Sequence, residues 1–207
     1  MYRPLRAGSS ATPRGEFRHR APGPPWHEKE LPEKLFYHGL HHTLDVFEAA
    51  ERIAGKENVT GEELNLIQAA ALFHDSGFTI TYKDHEEAGC KLTREVLPEF
   101  GYNKKEIEQI CAMIMTTKIP QTAKTKLQKI MCDADLDYLG TDRFEVIGQS
   151  FLQELNWRGA GLNDKAWNEL QIKFLENHQY YTDTCRKSRD PVKITHLAGL
   201  KKLVATM

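Results

Sequence analysis

About a third of the way along the chain, a charged pair closes a run of apolar residues. His74 and Asp75 close the apolar run Leu66-Ile67-Gln68-Ala69-Ala70-Ala71-Leu72-Phe73 and are followed at once by Ser76-Gly77, a turn signal. A carboxylate and an imidazole at the buried end of an alanine-rich helix need partners, and a metal ion satisfies both. Taken alone, the dipeptide also reads as a plain helix C-terminus, with the histidine at the negative end of the dipole and the aspartate capping the turn.

More ligand types of the same hard or borderline kind lie on either side. Upstream, His38 and His42 in Tyr37-His38-Gly39-Leu40-His41-His42-Thr43 are four apart, a spacing that puts them on one face of a helix. His41 falls off that face and reads as structural. Downstream, the apolar row Leu127, Met131, Ala134 and Tyr138 turns Asp135 toward the core. It leaves Asp133 and Asp137 outside, with Lys126, Lys129 and Asp133 forming a solvated face.

In this order and in these contexts, with Asp135 inside Ala134-Asp135-Leu136 ahead of Leu139-Gly140, the pieces resemble the HD superfamily of metal-dependent phosphohydrolases. The resemblance runs over roughly residues 35 to 200. It implies that His42, His74, Asp75 and Asp135 hold one divalent ion. Mixed nitrogen and oxygen donors suit manganese, iron, cobalt, nickel or zinc better than magnesium or calcium. It also implies hydrolysis of a phosphoric ester or anhydride of a small phosphorylated molecule, nucleotides included, by a metal-activated water that Asp75 orients. His38 occupies the position of a leaving-group acid in related cyclic-nucleotide phosphodiesterases, and a hydrogen-bonding or solvent-facing role stands beside that one.

His85 resembles the histidine that opens the next helix in two-metal relatives. The further histidine of those relatives is missing, since the chain reads Met113-Ile114-Met115-Thr116-Thr117-Lys118. One metal is therefore expected, with His85 near the phosphate or at a helix N-terminus. The continuation Ser76-Gly77-Phe78 lacks the lysine of the cyclic-di-GMP class and the paired acids of the alarmone hydrolases. Lys118, Lys83 and Arg143 are the expected anion binders, each near a site loop or helix end. The other class of function open to such a chain is a catalytically silent sensing or regulatory module that keeps the metal and binds a nucleotide.

The elements that must position these residues read as helical nearly throughout. Apolar stripes at three-to-four spacing run through Leu40, Leu44, Phe47 and Ala50 or Ile53, through Ile107, Ile110, Cys111 and Ile114, and through Leu127, Ile130, Met131 and Ala134. Thr60 and Asn103 read as N-caps. The pattern predicts helices near 32–54, 61–74, 84–99, 103–117, 122–138, 140–157, 163–180 and 190–205, and hence an all-α bundle.

Composition sets the outer bounds. With 207 residues and 40% apolar content the chain supports one domain, read as an HD-type domain over 31–207 behind a Pro/Gly/Arg-rich flexible tail over 1–30. An organellar presequence is a second reading of that tail, without an evident amphipathic helix to support it. A net charge of -1 argues against electrostatic attraction to nucleic acid or anionic membrane. Four scattered cysteines, Cys90, Cys111, Cys132 and Cys185, read as small buried hydrophobes in a reducing compartment, and the expected location is the cytoplasm. A homo-oligomer is compatible with everything above.

Overall fold

A computed structural model of the chain describes residues 34–207; the tail expected over 1–30 lies outside them. Among the described residues there is no strand. The helices are α1 (Leu40–Lys56), α2 (Gly61–Phe73), α3 (His85–Val96), α4 (Lys104–Thr117), α5 (Lys126–Asp135), α6 (Phe144–Trp157), α7 (Asp164–Asn177), α8 (Asp183–Ser188) and α9 (Asp190–Val204). Short 3-10 turns at Ser76–Thr79, Leu97–Phe100 and Asp137–Gly140 join them.

The axis of the molecule is α2. Every residue from Leu66 to Phe73 is buried, because a helix that is apolar all round satisfies itself only in the middle of a core. Around it pack α1, α4 and α5. Their buried faces are the expected stripes: Val46, Ala50 and Ile53 from α1, Ile107, Ile110 and Ile114 from α4, and Ile130, Met131 and Ala134 from α5. Leu40, Leu44 and Phe47, placed in the α1 stripe by their spacing, are only partly buried. α3 closes the bundle against α4 and the Ser76–Thr79 turn. A second, smaller apolar cluster of Leu136, Leu139, Phe144 and Leu175 ties the C-terminal third to the end of α5.

Helix ends follow the local chemistry. Asn103 and Glu106 form a reciprocal capping box at α4, and Thr125 and Gln128 form another at α5; the second moves the start of that helix from the expected 122 to Lys126. Thr60 holds the N-cap position of α2, yet its side chain makes no capping bond. The expected helix over 84–99 ends at Val96, ahead of Pro98 in the next turn, since proline has no N–H to continue the ladder. Of the expected helix over 32–54, residues 34–39 are turn and bend, and the helix starts at Leu40. The backbone N–H groups of Tyr37 and His38 donate instead to the Glu154 carboxylate in α6, at 2.9 and 3.1 Å. His38 is thus not one turn before His42 on a helix face; it sits on a bend tied to a distant acid.

Asp133 also departs from its expected place. It is fully buried, and its carboxylate accepts from the Tyr181 N–H (2.8 Å), the Thr182 N–H (2.8 Å) and the Thr182 hydroxyl (2.6 Å). The chain leading into α8, an element the apolar spacing does not announce, covers that face of α5. Asp137 is likewise held, by Arg189 at 2.8 Å and Arg52 at 2.7 Å. All four cysteines are buried and free. Among the described residues no helix is long and apolar enough to cross a membrane.

Candidate metal centre

α2 runs through the core and delivers His74 and Asp75 at its buried end. His74 keeps helical dihedrals, and Asp75 turns out of the helix into the Ser76–Thr79 turn. The Ser76 hydroxyl donates to the Phe73 carbonyl at 2.7 Å and fixes that exit. Gly77 is required there. A Cβ on it would lie 1.8 Å from the His85 carbonyl oxygen, so the absence of a side chain lets α3 approach and carry His85 beside Asp75.

Across from α2, α1 brings His42 and the end of α5 brings Asp135. Their donor atoms converge. His42 Nε2 lies 3.3 Å from Asp135 Oδ1 and 3.6 Å from Asp75 Oδ2. His74 Nε2 lies 3.4 Å from His42 Nε2, 3.3 Å from Asp75 Oδ2 and 3.6 Å from Asp135 Oδ1. Donors about 2.0–2.2 Å from a shared ion, at angles of about 90–110°, stand roughly 3.0–3.5 Å apart. The spacing suits one ion.

Two further observations fit a cation. His74 Nδ1 bonds the Ala71 carbonyl at 2.8 Å, so that nitrogen carries the proton and Nε2 presents a lone pair. Asp75 Oδ2 is buried with no hydrogen-bond partner, a state that costs free energy unless a positive charge relieves it. Without an ion, a proton takes that role. Burial pulls the His74 imidazole down, but Asp75 and then Asp135 outweigh it and push it up to about 9. Burial raises the Asp75 carboxyl, and His74, followed by His38 and His42, outweighs that and holds it well below the carboxylate range.

Beside the four donors, His38 Nδ1 makes a 2.6 Å bond to Glu154 Oε1. Glu154 is fully buried and also accepts from the Tyr82 hydroxyl at 3.2 Å. Burial raises its pKa, yet the bond to His38, its charge and the two backbone donors bring it below the usual value. Phe78 lies against both the His38 ring (4.3 Å between centroids) and the His85 ring (4.0 Å). His85 Nε2 stands 3.6 Å from Asp75 Oδ1 and 3.5 Å from Glu86 Oε1. Where two-metal relatives have another histidine, Thr116 and Thr117 are buried, and their hydroxyls donate to Met113 and Ile114 carbonyls.

The expected anion binders fare differently. Lys118 is bonded to Asp84 at 2.9 Å and Glu87 at 2.8 Å and lines neither cavity at the site. Lys83 is exposed and lines neither cavity. Arg143 lines a polar cavity with His42 and Asp135, where Asp45 holds it at 2.8 Å. His85 alone of the four reaches the donors. Glu154 is the site residue that the sequence did not single out; its one local signal is a charged position among Phe151, Leu152 and Leu155.

Residues 39–137 match the HD domain family. An uncharacterized protein of Clostridium beijerinckii is 33% identical over 84 residues, which make up 39% of this chain and 53% of that protein; the match spans about half of the relative. A predicted HD superfamily hydrolase from an uncultured Thermotogales bacterium has a solved structure that superposes with a TM-score of 0.54 at 24% identity, covering 82% of this chain and 81% of that one. At that identity the likeness concerns the fold. The described residues form an all-α fold, and residues 39–137 within it carry the likeness to the HD domain. The His42, His74 and Asp135 cluster offers donor atoms close enough together to hold a metal ion.

Proposed function

We propose that this protein is a metal-dependent hydrolase of phosphoric esters or anhydrides, acting on a small phosphorylated molecule with one divalent transition metal held by His42, His74, Asp75 and Asp135. The observation that supports it most is the clustering of the His42, His74 and Asp135 donors, with the orphaned Asp75 Oδ2 lying 3.3 Å from His74 Nε2 and 3.6 Å from His42 Nε2. A bound cation would polarise a phosphoryl oxygen and lower the pKa of water. The chain's own residues do the rest. The Asp75 carboxylate, with Oδ1 turned toward His85, orients the attacking water. His38, with Nδ1 fixed by Glu154, has Nε2 left to give a proton to the departing oxygen. His85, beside Asp75 and at the N-terminus of α3, is placed to bind a phosphate oxygen.

The test is elemental analysis of the purified protein together with a phosphate-release screen under added manganese, iron, cobalt, nickel, zinc or magnesium. About one metal per chain and metal-dependent turnover are expected, both lost in folded His74→Ala and Asp75→Ala variants. Turnover that persists in a folded, metal-free variant would refute the reading.

A further inference from the structure

A cavity of about 380 Å³ adjoins the donors and is lined by Asp75, Asp135, His38 and His85 on one side. The other side comes from the C-terminal third. Its wall is Phe144, Phe151, Leu155, Trp167, Leu170 and Phe174, from α6 and α7. The volume lies within the range of ligand pockets, about 300–1,000 Å³, and is too large for a packing defect. At the rim, Leu170 is 45% exposed and Ile119 56% exposed, so the approach to the donors is also apolar.

Positive charge is missing. Among the described residues no lysine or arginine lines this cavity, whereas Glu86 joins Asp75 and Asp135 in it. The nearby cations are committed elsewhere, Arg143 to Asp45, Arg52 to Asp137 and Lys118 to Asp84 and Glu87. Of the remaining polar wall groups, Thr117 donates to a backbone carbonyl and Gln171 to Asn168, while the buried Trp167 Nε1 has no hydrogen-bond partner. One phosphate fits beside the donors and His85, but the further phosphates of a polyphosphate would face the apolar wall with no guanidinium or ammonium to pair them, at a desolvation cost that a single indole N–H does not offset.

We infer that the substrate is a phosphoric ester of a bulky apolar alcohol, aromatic or branched alkyl, whose hydrocarbon part fills the cavity walled by α6 and α7. This rests on the hydrolase reading above and narrows its substrate class away from nucleotide polyphosphates. Water adds its oxygen to phosphorus and releases one proton to solvent, the bond from phosphorus to the alcohol oxygen breaks with its electron pair on that oxygen, and His38 gives that oxygen a proton and regains one from solvent. Phosphate and the free alcohol are the products.

The experiment compares the metal-loaded protein on 1-naphthylmethyl phosphate, which leaves as an alkyl alcohol like the others, methyl phosphate, AMP and ATP, and measures binding of 1-naphthylmethylphosphonate against methylphosphonate by calorimetry. A kcat/KM for the naphthyl ester at least about tenfold above the others is expected, with a matching ratio of affinities. That factor corresponds to burying roughly 60 Å² of apolar surface. Leu170→Arg, its fold checked by thermal unfolding, is expected to lower the naphthyl-to-methyl ratio about tenfold. Metal-dependent turnover that favours ATP, AMP or methyl phosphate would overturn the inference and leave the hydrolase reading standing. If no ester turns over with metal bound, the hydrolase reading fails; equal binding of the two phosphonates would then refute the apolar cavity as a ligand site, and tighter naphthyl binding would uphold it.

Discussion

Asp133→Asn tests whether the face of α5 away from the metal donors is solvated or structural. The carboxylate accepts three hydrogen bonds, one on Oδ1 from Tyr181 and two on Oδ2 from Thr182. Asparagine keeps an acceptor for Tyr181 but turns an N–H₂ toward Thr182. The Thr182 hydroxyl adapts, because it already accepts from the Cys185 N–H at 3.1 Å and can accept again. The Thr182 backbone N–H cannot adapt and becomes a buried, unsatisfied donor, costing about 1–3 kcal/mol. Losing the charge on the two remaining bonds adds about 1 kcal/mol. Against this stands relief from burial, which raises the Asp133 pKa as the largest influence on it. The net expectation is a loss of about 2–3 kcal/mol, or roughly 4–12 °C in melting temperature for a chain of this size. Urea denaturation with paired calorimetry measures it, with Lys126→Ala on exposed α5 surface as a control within about 0.5 kcal/mol. An Asp133→Asn variant as stable as that control would mean that the buried network contributes nothing.

Three further outcomes are expected. Gly77→Ala drives a Cβ to 1.8 Å from the His85 carbonyl oxygen and should cost more than about 3 kcal/mol, visible as loss of cooperative unfolding or a sharply lower urea midpoint. Glu154→Gln removes the anion that holds His38; kcat should fall about 10–100-fold with metal content unchanged, so an unaltered kcat would deny His38 its positioned role. Burial, and then Lys193, push the His178 imidazole down to about 4. The unfolded chain takes up that proton from about pH 6.5 and the folded chain only near pH 4, so stability should fall as pH drops between the two, by at most about 3 kcal/mol. His178→Gln should flatten that part of the profile, read from urea midpoints at pH 4.5 and 7.

What could be read in advance was carried by local pattern. The apolar run into His74-Asp75, the three-to-four stripes of α1, α4 and α5, and the row that turns Asp135 inward are all written within one or two helical turns. The structure brings His42, His74, Asp75 and Asp135 together from those segments. The misreadings concern residues whose surroundings come from far along the chain. Periodicity put Asp133 on the same side as Lys126 and Lys129 and could not show that residues 181–182 would cover it. His38 looked like a helix residue because Glu154, which draws its backbone out of the helix, lies 116 positions away. Lys118 looked free for phosphate because Asp84 and Glu87 reach it only after α3 packs on α4.

The candidate metal donors and the wall of the cavity beside them come from different lengths of chain. The donors lie within residues 42–135, inside the span matched to the HD domain, while the hydrocarbon wall is built mainly by residues 144–175 of α6 and α7. On the proposed hydrolase reading, chemistry and selectivity are separately heritable. Substitutions along two helices can redraw the shape of what is accepted while the donors stay in place, so descendants of this architecture can diverge in diet without relearning how to break the bond.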